Sequence, residues 1–164
     1  MGKARSYEII EYREKIMNIV INSPEIIKLF GFDDEDEAKS TIPYHYMFPH
    51  EYIPDVVEST HRFINFEIGA NIDSKNHTFK DLTIYFYIFC HQDVVNYKDQ
   101  GRKYLWYDRV VCVLDDIFNE NDKIGIGGKM DLVSNIPYYP EKKFKGRLLK
   151  FVVKDFYNGL KYGK

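Results

Sequence analysis

The sequence predicts an α+β domain with a mostly antiparallel four-stranded sheet and flanking helices, in the order α-β-β-α-β-β. Three observations predict it. The run from Thr78 to His91 is apolar on both alternating faces, with Leu82, Ile84, Phe86, Ile88 and Cys90 on one and Thr83, Tyr85, Tyr87, Phe89 and His91 on the other. That pattern belongs to a central strand covered on both sides. Helical spacing of apolar residues recurs before this run and again after it. Finally, two more strand-like runs, 125–134 and 146–156, close the chain.

The elements follow in order. Ser6 can cap a helix in which Ile9, Ile16 and Val20 recur near helical spacing, flanked by Tyr12, Met17 and Ile19. Ser23-Pro24 is a fresh N-cap followed by proline at the first helical position, and Gly31 closes the short helix that begins there. The acidic run 33–37 is a solvated loop or helix start, since nothing fixes its spacing as a calcium loop would require. Three prolines and the aromatics Tyr44, Tyr46, Phe48 and Tyr52 between Ile42 and Pro54 predict an ordered irregular segment pinned by its rings. A strand at about 62–68 turns through 69–76 into the aromatic strand. Gly101 to Asn119 is a helix with the stripe Trp106, Val110, Val113, Leu114, Ile117 and Phe118. The loop 135–144 joins the last two strands.

The 164 residues form a single domain: an N-terminal helical region 6–31, an α+β core over about 40–158 and a basic end 159–164. Fourteen Tyr and twelve Phe suit half-buried surfaces and interfaces. The net charge of −2 conceals an asymmetry, because residues 142–164 carry eight basic groups against Asp155, or +7, which leaves −9 for residues 1–141. Such a dipolar chain can meet a second copy of itself. The pI near 6.2 argues against a dedicated nucleic-acid binder. Cys90 and Cys112 are expected to be two buried, reduced thiols, which suits a reducing compartment. No stretch predicts secretion or a membrane span.

Each candidate for chemistry fails at a particular residue. Gly125-Ile126-Gly127-Gly128-Lys129 approaches a phosphate loop, but Lys123 and Met130 stand where glycine and a hydroxyl are needed, and the segment opens a strand. Its glycines are expected to permit a bulge or close packing. His45 and His50, five apart, have no paired His or Cys spacing for zinc. Cys90 and His91 are no nucleophile pair, because adjacent strand residues point to opposite faces. A metal-dependent nuclease would want a lysine two residues after Glu67, and none is there. Asp108-Arg109 is expected to be a polar pair within the helix or between helix and sheet, with a subunit contact as its functional alternative.

Ile42 to Glu58, Thr78 to Val94, Tyr107 to Ser134 and Phe144 to Phe156 together resemble small neck proteins of tailed bacteriophages, of the tail-terminator or tail-completion type, over about residues 40–158. The helix bearing Asp108-Arg109, followed by Ile124-Gly125-Ile126-Gly127, is the most telling part. The resemblance implies a compact α+β subunit, commonly six to a ring, which caps the tail tube and joins it to the head. It implies no enzyme activity, no cofactor and no metal. Its partners would be itself, the tail tube protein and head-side connector proteins, with transient DNA in the lumen and no membrane. The protein would be assembled in the host cytoplasm and reside in the virion neck. The residues placed at a subunit or partner interface are Tyr85, Tyr87, Phe89, Arg109, Lys142, Lys143 and Lys145. A head-completion or adaptor ring, or a metal-dependent phage nuclease, is the alternative.

Overall fold

A computed structural model describes residues 7–55, 61–72, 79–125 and 129–156. The chain runs α1 (Tyr7–Ile21), α2 (Pro24–Phe30), α3 (Glu35–Thr41), β1 (Met47–Phe48), β2 (Arg62–Ile72), β3 (Phe79–His91), a 3-10 turn (Gln92–Val94), β4 (Asn96–Asp99), β5 (Arg102–Leu105), α4 (Trp106–Phe118), β6 (Asp131–Tyr138) and β7 (Phe144–Phe156). One five-stranded sheet has the order β1-β2-β3-β7-β6, and β4 with β5 forms a separate two-stranded ribbon. The α+β class and the antiparallel β2-β3-β7-β6 ladder are as expected, whereas β1 lies parallel to β2 and makes the sheet mixed.

The expected antiparallel four-stranded sheet is therefore incomplete in two places. β1 arises inside the proline-rich segment, where Ile42 accepts the backbone N–H groups of His45, Tyr46 and Met47 and folds the chain back against Ile64. The ribbon takes residues that spacing alone assigns to the start of α4. Gln100 and Gly101 both have positive φ, 47° and 77°, the pair a tight two-residue hairpin turn needs. Asp99 and Arg102 then face each other, and the helix waits until Trp106, whose N–H donates to Val95 O at 2.7 Å. β6 also starts later than Gly125 and runs on to Tyr138, through residues expected to be loop. Of the glycine segment, Gly125 approaches Lys154 O so closely that a Cβ would lie 2.8 Å away, while 126–128 fall outside the described residues. Ser6, 73–76 and the end beyond Phe156 also fall outside them.

α2 forms as its sequence dictates: Ser23 Oγ accepts the Ile26 N–H at 3.4 Å, Pro24 opens the helix, and left-handed Gly31 donates to Lys28 O at 2.9 Å. One face of the sheet carries Ile64, Phe66 and Ile68 from β2, Ile84, Phe86 and Ile88 from β3, and Leu149, Phe151 and Val153 from β7, all buried. Ile16 and Val20 of α1, Ile26 of α2, and Trp106, Val110, Leu114 and Phe118 of α4 join the same core. Trp106 Nε1 donates to Leu29 O at 2.7 Å, tying α4 to α2. α1 is anchored by charge at the far end of the sheet. Lys80 pairs with Glu8 and, at 3.2 Å, with Asp155, which also accepts the Tyr12 hydroxyl at 3.0 Å. Burial, followed by the Asp155 carboxylate, pushes the Tyr12 phenol above its ordinary range.

Candidate functional site

The second face of the sheet divides into a covered end and an open half. The register puts Phe63 opposite Phe89 and Gly146, Asn65 opposite Tyr87 and Leu148, Glu67 opposite Tyr85 and Lys150, and Gly69 opposite Thr83 and Val152. At the first of these rungs Phe63, Phe89 and Phe144 form a small separate core, with centroids 5.2 Å apart for Phe63 and Phe89 and 5.5 Å for Phe89 and Phe144. Residues 48–54 lie over it. Tyr52 stacks on Phe48 at 4.2 Å, its carbonyl accepts Asn65 Nδ2 at 2.6 Å, and Glu51 accepts the Tyr138 hydroxyl from the opposite edge of the sheet. Burial, aided by Glu51, raises the Tyr138 phenol. The irregular segment is thus pinned by its rings, as its composition predicts.

On the remaining rungs Asn65 and Thr83 are buried, and the other side chains are half-exposed. Tyr85, Leu148, Lys150 and Val152 are half-buried, and Ile136 and Val133 of β6 are 49% and 53% exposed. Lys150 Nζ stands 5.8 Å from the Tyr85 ring. Glu67 accepts Arg13, which also reaches Pro49 O, and the same carboxylate oxygen caps the Ile68 N–H at 3.0 Å. Within the subunit, Glu67 thus already serves as an ion-pair partner of Arg13 through its Oε1. Among the described residues no group of three His, Cys, Asp or Glu could hold a metal ion, and no helix is long and apolar enough to cross a membrane.

The seven interface candidates do not form one patch. Tyr85 and Tyr87 are half-buried on the second face, and Tyr87 lies 5.3 Å from Tyr138. Phe89 is 0% exposed and packs the small core, so its side chain serves the subunit's own fold. Arg109 sits in the helical layer with its guanidinium 5.3 Å from the Tyr104 ring of the ribbon, while neighbouring Asp108 accepts Arg147 Nε at 3.2 Å, a helix-to-sheet pair. Lys142 and Lys143 are exposed in the turn between β6 and β7, and Lys145 Nζ lies 5.1 Å from the ring of exposed Tyr139 and donates to Lys142 O at 3.1 Å. Lys150 and Ile136 join this surface from outside the candidate set. Lys150 was legible as an outward lysine from strand alternation, but Ile136 was hidden because Asn135-Ile136-Pro137 carries turn residues.

The two thiols part company. Cys90 is fully buried, and burial pushes it up to about 12, which leaves it an inert thiol; Cys112 is exposed and not buried as expected, because it falls on the side of α4 away from the Val110–Leu114 stripe. His91 is buried too. Its Nδ1 accepts the Asp93 N–H at 3.3 Å and its ring lies edge-on to Phe144 at 5.7 Å.

What the described site offers is a half-exposed surface of Tyr85, Leu148 and Val152 with Lys150 among them. No match to a curated protein is found. Residues 23–153 match the YomW family, a phage-derived family of SPBeta-like prophage type, and the chain belongs to that family.

Proposed function

We propose that the protein is a structural component of a phage particle, forming a ring of six at the neck that terminates the tail tube and joins it to the head. The observation that carries the reading is the open half of the sheet's second face. Tyr85, Leu148, Lys150 and Val152 combine one aromatic ring, two aliphatic side chains and one cation, a mixture of interface type. A phage-derived family makes virion assembly the natural setting for such a surface. The work is surface against surface, with no turnover. Glu67, the carboxylate a nuclease would use, is held by Arg13.

The test is a phage lacking the gene. Filled heads and separate tails of uneven length are expected, and added protein should restore joining. Labelled protein should be found at the head–tail junction. Label on the head vertex with normal tail length would favour a head-completion or adaptor ring instead. Normal infectious particles would end the structural reading, and metal-dependent DNA cleavage lost in Glu67→Ala would replace it with a nuclease.

A further inference from the structure

The β4–β5 ribbon stands outside the main sheet, and its two sides meet different surroundings. The register pairs Asn96 with Leu105, Tyr97 with Tyr104, Lys98 with Lys103 and Asp99 with Arg102. Tyr97 and Tyr104 alternate inward: Tyr97 packs against the main core, and the Tyr104 ring lies 5.3 Å from the Arg109 guanidinium. Asp99, on the same side, accepts Lys28 Nζ at 3.1 Å. Lys98 and Lys103 take the other side, where both are exposed.

Like charges directly opposite each other on paired strands, with Cβ atoms about 5 Å apart, destabilise the ribbon that carries them. No carboxylate relieves this pair. Lys98, Arg102 and Lys103 have no ion pair among the described residues, and Asp99, the one carboxylate of residues 94–107, is taken by Lys28. Of the carboxylates flanking that stretch, Asp108 is held by Arg147 and Asp93 lies 3.3 Å from His91 Nδ1. At the root of the ribbon two guanidiniums meet rings and carbonyls and no anion among the described residues. Arg62 donates to Val94 O at 3.1 Å and to Asn96 O at 3.4 Å and stands 5.5 Å from the Trp106 ring, while Arg109 Nε is buried without a hydrogen-bond partner. Positive charge is thus gathered on and behind the ribbon, in a chain whose net charge is −2.

We infer that the β4–β5 ribbon is a contact arm for duplex DNA, with Lys98 and Lys103 on its outward side and Arg102 beside its turn taking backbone phosphates. A duplex presents one phosphate charge per about 3.4 Å along each strand, a regular array that relieves two ammonium groups held side by side. The arm is slender. Gln100-Gly101 joins strands of four residues each, and a two-stranded ribbon is an element that the DNA major groove admits. Other partners fit less well. Single strands are held by stacking bases on exposed rings, and Tyr97 and Tyr104 are turned inward. The major groove of duplex RNA is too narrow to enter, and a protein partner would want an aromatic anchor, where the outward side offers Leu105 alone. The acidic balance of the whole chain keeps the contact weak and confined to the arm, in keeping with a pI near 6.2. The inference goes beyond the ring reading and holds for a single subunit as for an assembly.

The experiment titrates the full-length protein into short labelled DNA duplexes of two unrelated sequences and follows anisotropy from low to physiological salt. Both duplexes should bind alike, because phosphates carry no sequence. Lys98→Gln, Arg102→Gln and Lys103→Gln together should weaken binding about tenfold or more at low salt. The slope of log K against log salt should fall by about 2–3, since each phosphate contact contributes about 0.9. This variant should melt no earlier than the parent, as it removes an opposed like-charge pair. Lys142→Gln, Lys143→Gln and Lys145→Gln together are the control and should bind DNA like the parent. Should the ribbon variant melt early, acetylation of the parent decides: duplex DNA should protect Lys98 and Lys103 and leave Lys142 and Lys143 reactive. The inference is overturned by a ribbon variant that binds as well as the parent, by tighter binding of a single strand or a polyglutamate peptide than of the duplex, or by a parent that shows no salt-dependent binding at all. Ring assembly is read separately, by native mass spectrometry on the same proteins, so that either reading can fail alone.

Discussion

Tyr85 and Phe86 are neighbours on β3, yet they belong to surfaces with opposite tasks. Phe86 is fully buried, with ring centroids 5.0 Å from Phe118 and 6.0 Å from both Phe66 and Phe151, so α4 and both flanking strands close on it. Tyr85 is half-buried beside Lys150 and Glu67. Strand alternation delivers both residues with equal weight, and only the layer above decides their fate. The helices α1, α2 and α4 cover the first face along its length, while residues 48–54 reach over one end of the second. An apolar side chain can therefore be indispensable to stability on one face and contribute little on the open half of the other.

The comparison is broken most directly by paired truncations. Phe86→Ala should cost about 3–5 kcal/mol in chemical denaturation, because three aromatic rings lose a shared neighbour and a cavity remains. A loss below about 1 kcal/mol would mean that the first face is not the close-packed one. Glycines give a second contrast. At Gly146 a Cβ would lie 1.9 Å from Ile88 O, so Gly146→Ala should destabilise by about 1–3 kcal/mol or prevent folding, whereas at Gly69 it would meet only the Tyr85 ring at 3.7 Å. Gly69→Ala should stay within about 0.5 kcal/mol of the parent. Equal melting of the two variants would contradict the close approach of β3 and β7.

A smaller effect sharpens the view of the covered face through pH. Burial raises the Cys90 thiol from 9.0 to about 12, so the folded chain holds this proton more tightly than the unfolded one. That contribution is fully present below about pH 9 and is lost as pH rises toward 12, with a limiting slope of about 1.4 kcal/mol per pH unit. The stability of Cys90→Ala should fall less steeply above pH 9 in urea titrations; parallel curves would show that Cys90 is not sealed in the core. Smallest of all, Tyr85→Ala should change the monomer's stability by less than about 1 kcal/mol. Its consequence should be read in assembly, and a Tyr85→Ala monomer as damaged as the Phe86→Ala one would erase the distinction between the faces.

By itself the sequence determined whatever depends on neighbours along the chain. Ser23-Pro24 and Gly31 bound α2 because caps are local hydrogen bonds, the alternation of β3 and β7 sorted their faces, and the apolar stripe of α4 identified its buried side. The same local reasoning failed where a distant element chose the outcome. Gly101–Leu105 became part of a ribbon and not the start of a helix because Gln100-Gly101 accepts two left-handed residues and Val95 holds Trp106. Met47–Phe48 became a strand only because β2 offered it an edge. β6 ran through Asn135-Ile136-Pro137 because β7 supplied a partner on one side and the proline's missing N–H faced no further strand. The site divides in the same way. Tyr85 and the outward lysines were visible in the alternation, whereas the burial of Phe89 and the exposure of Cys112 arose from what packs on what. Periodicity records which residues share a face, and tertiary packing alone decides which face is covered.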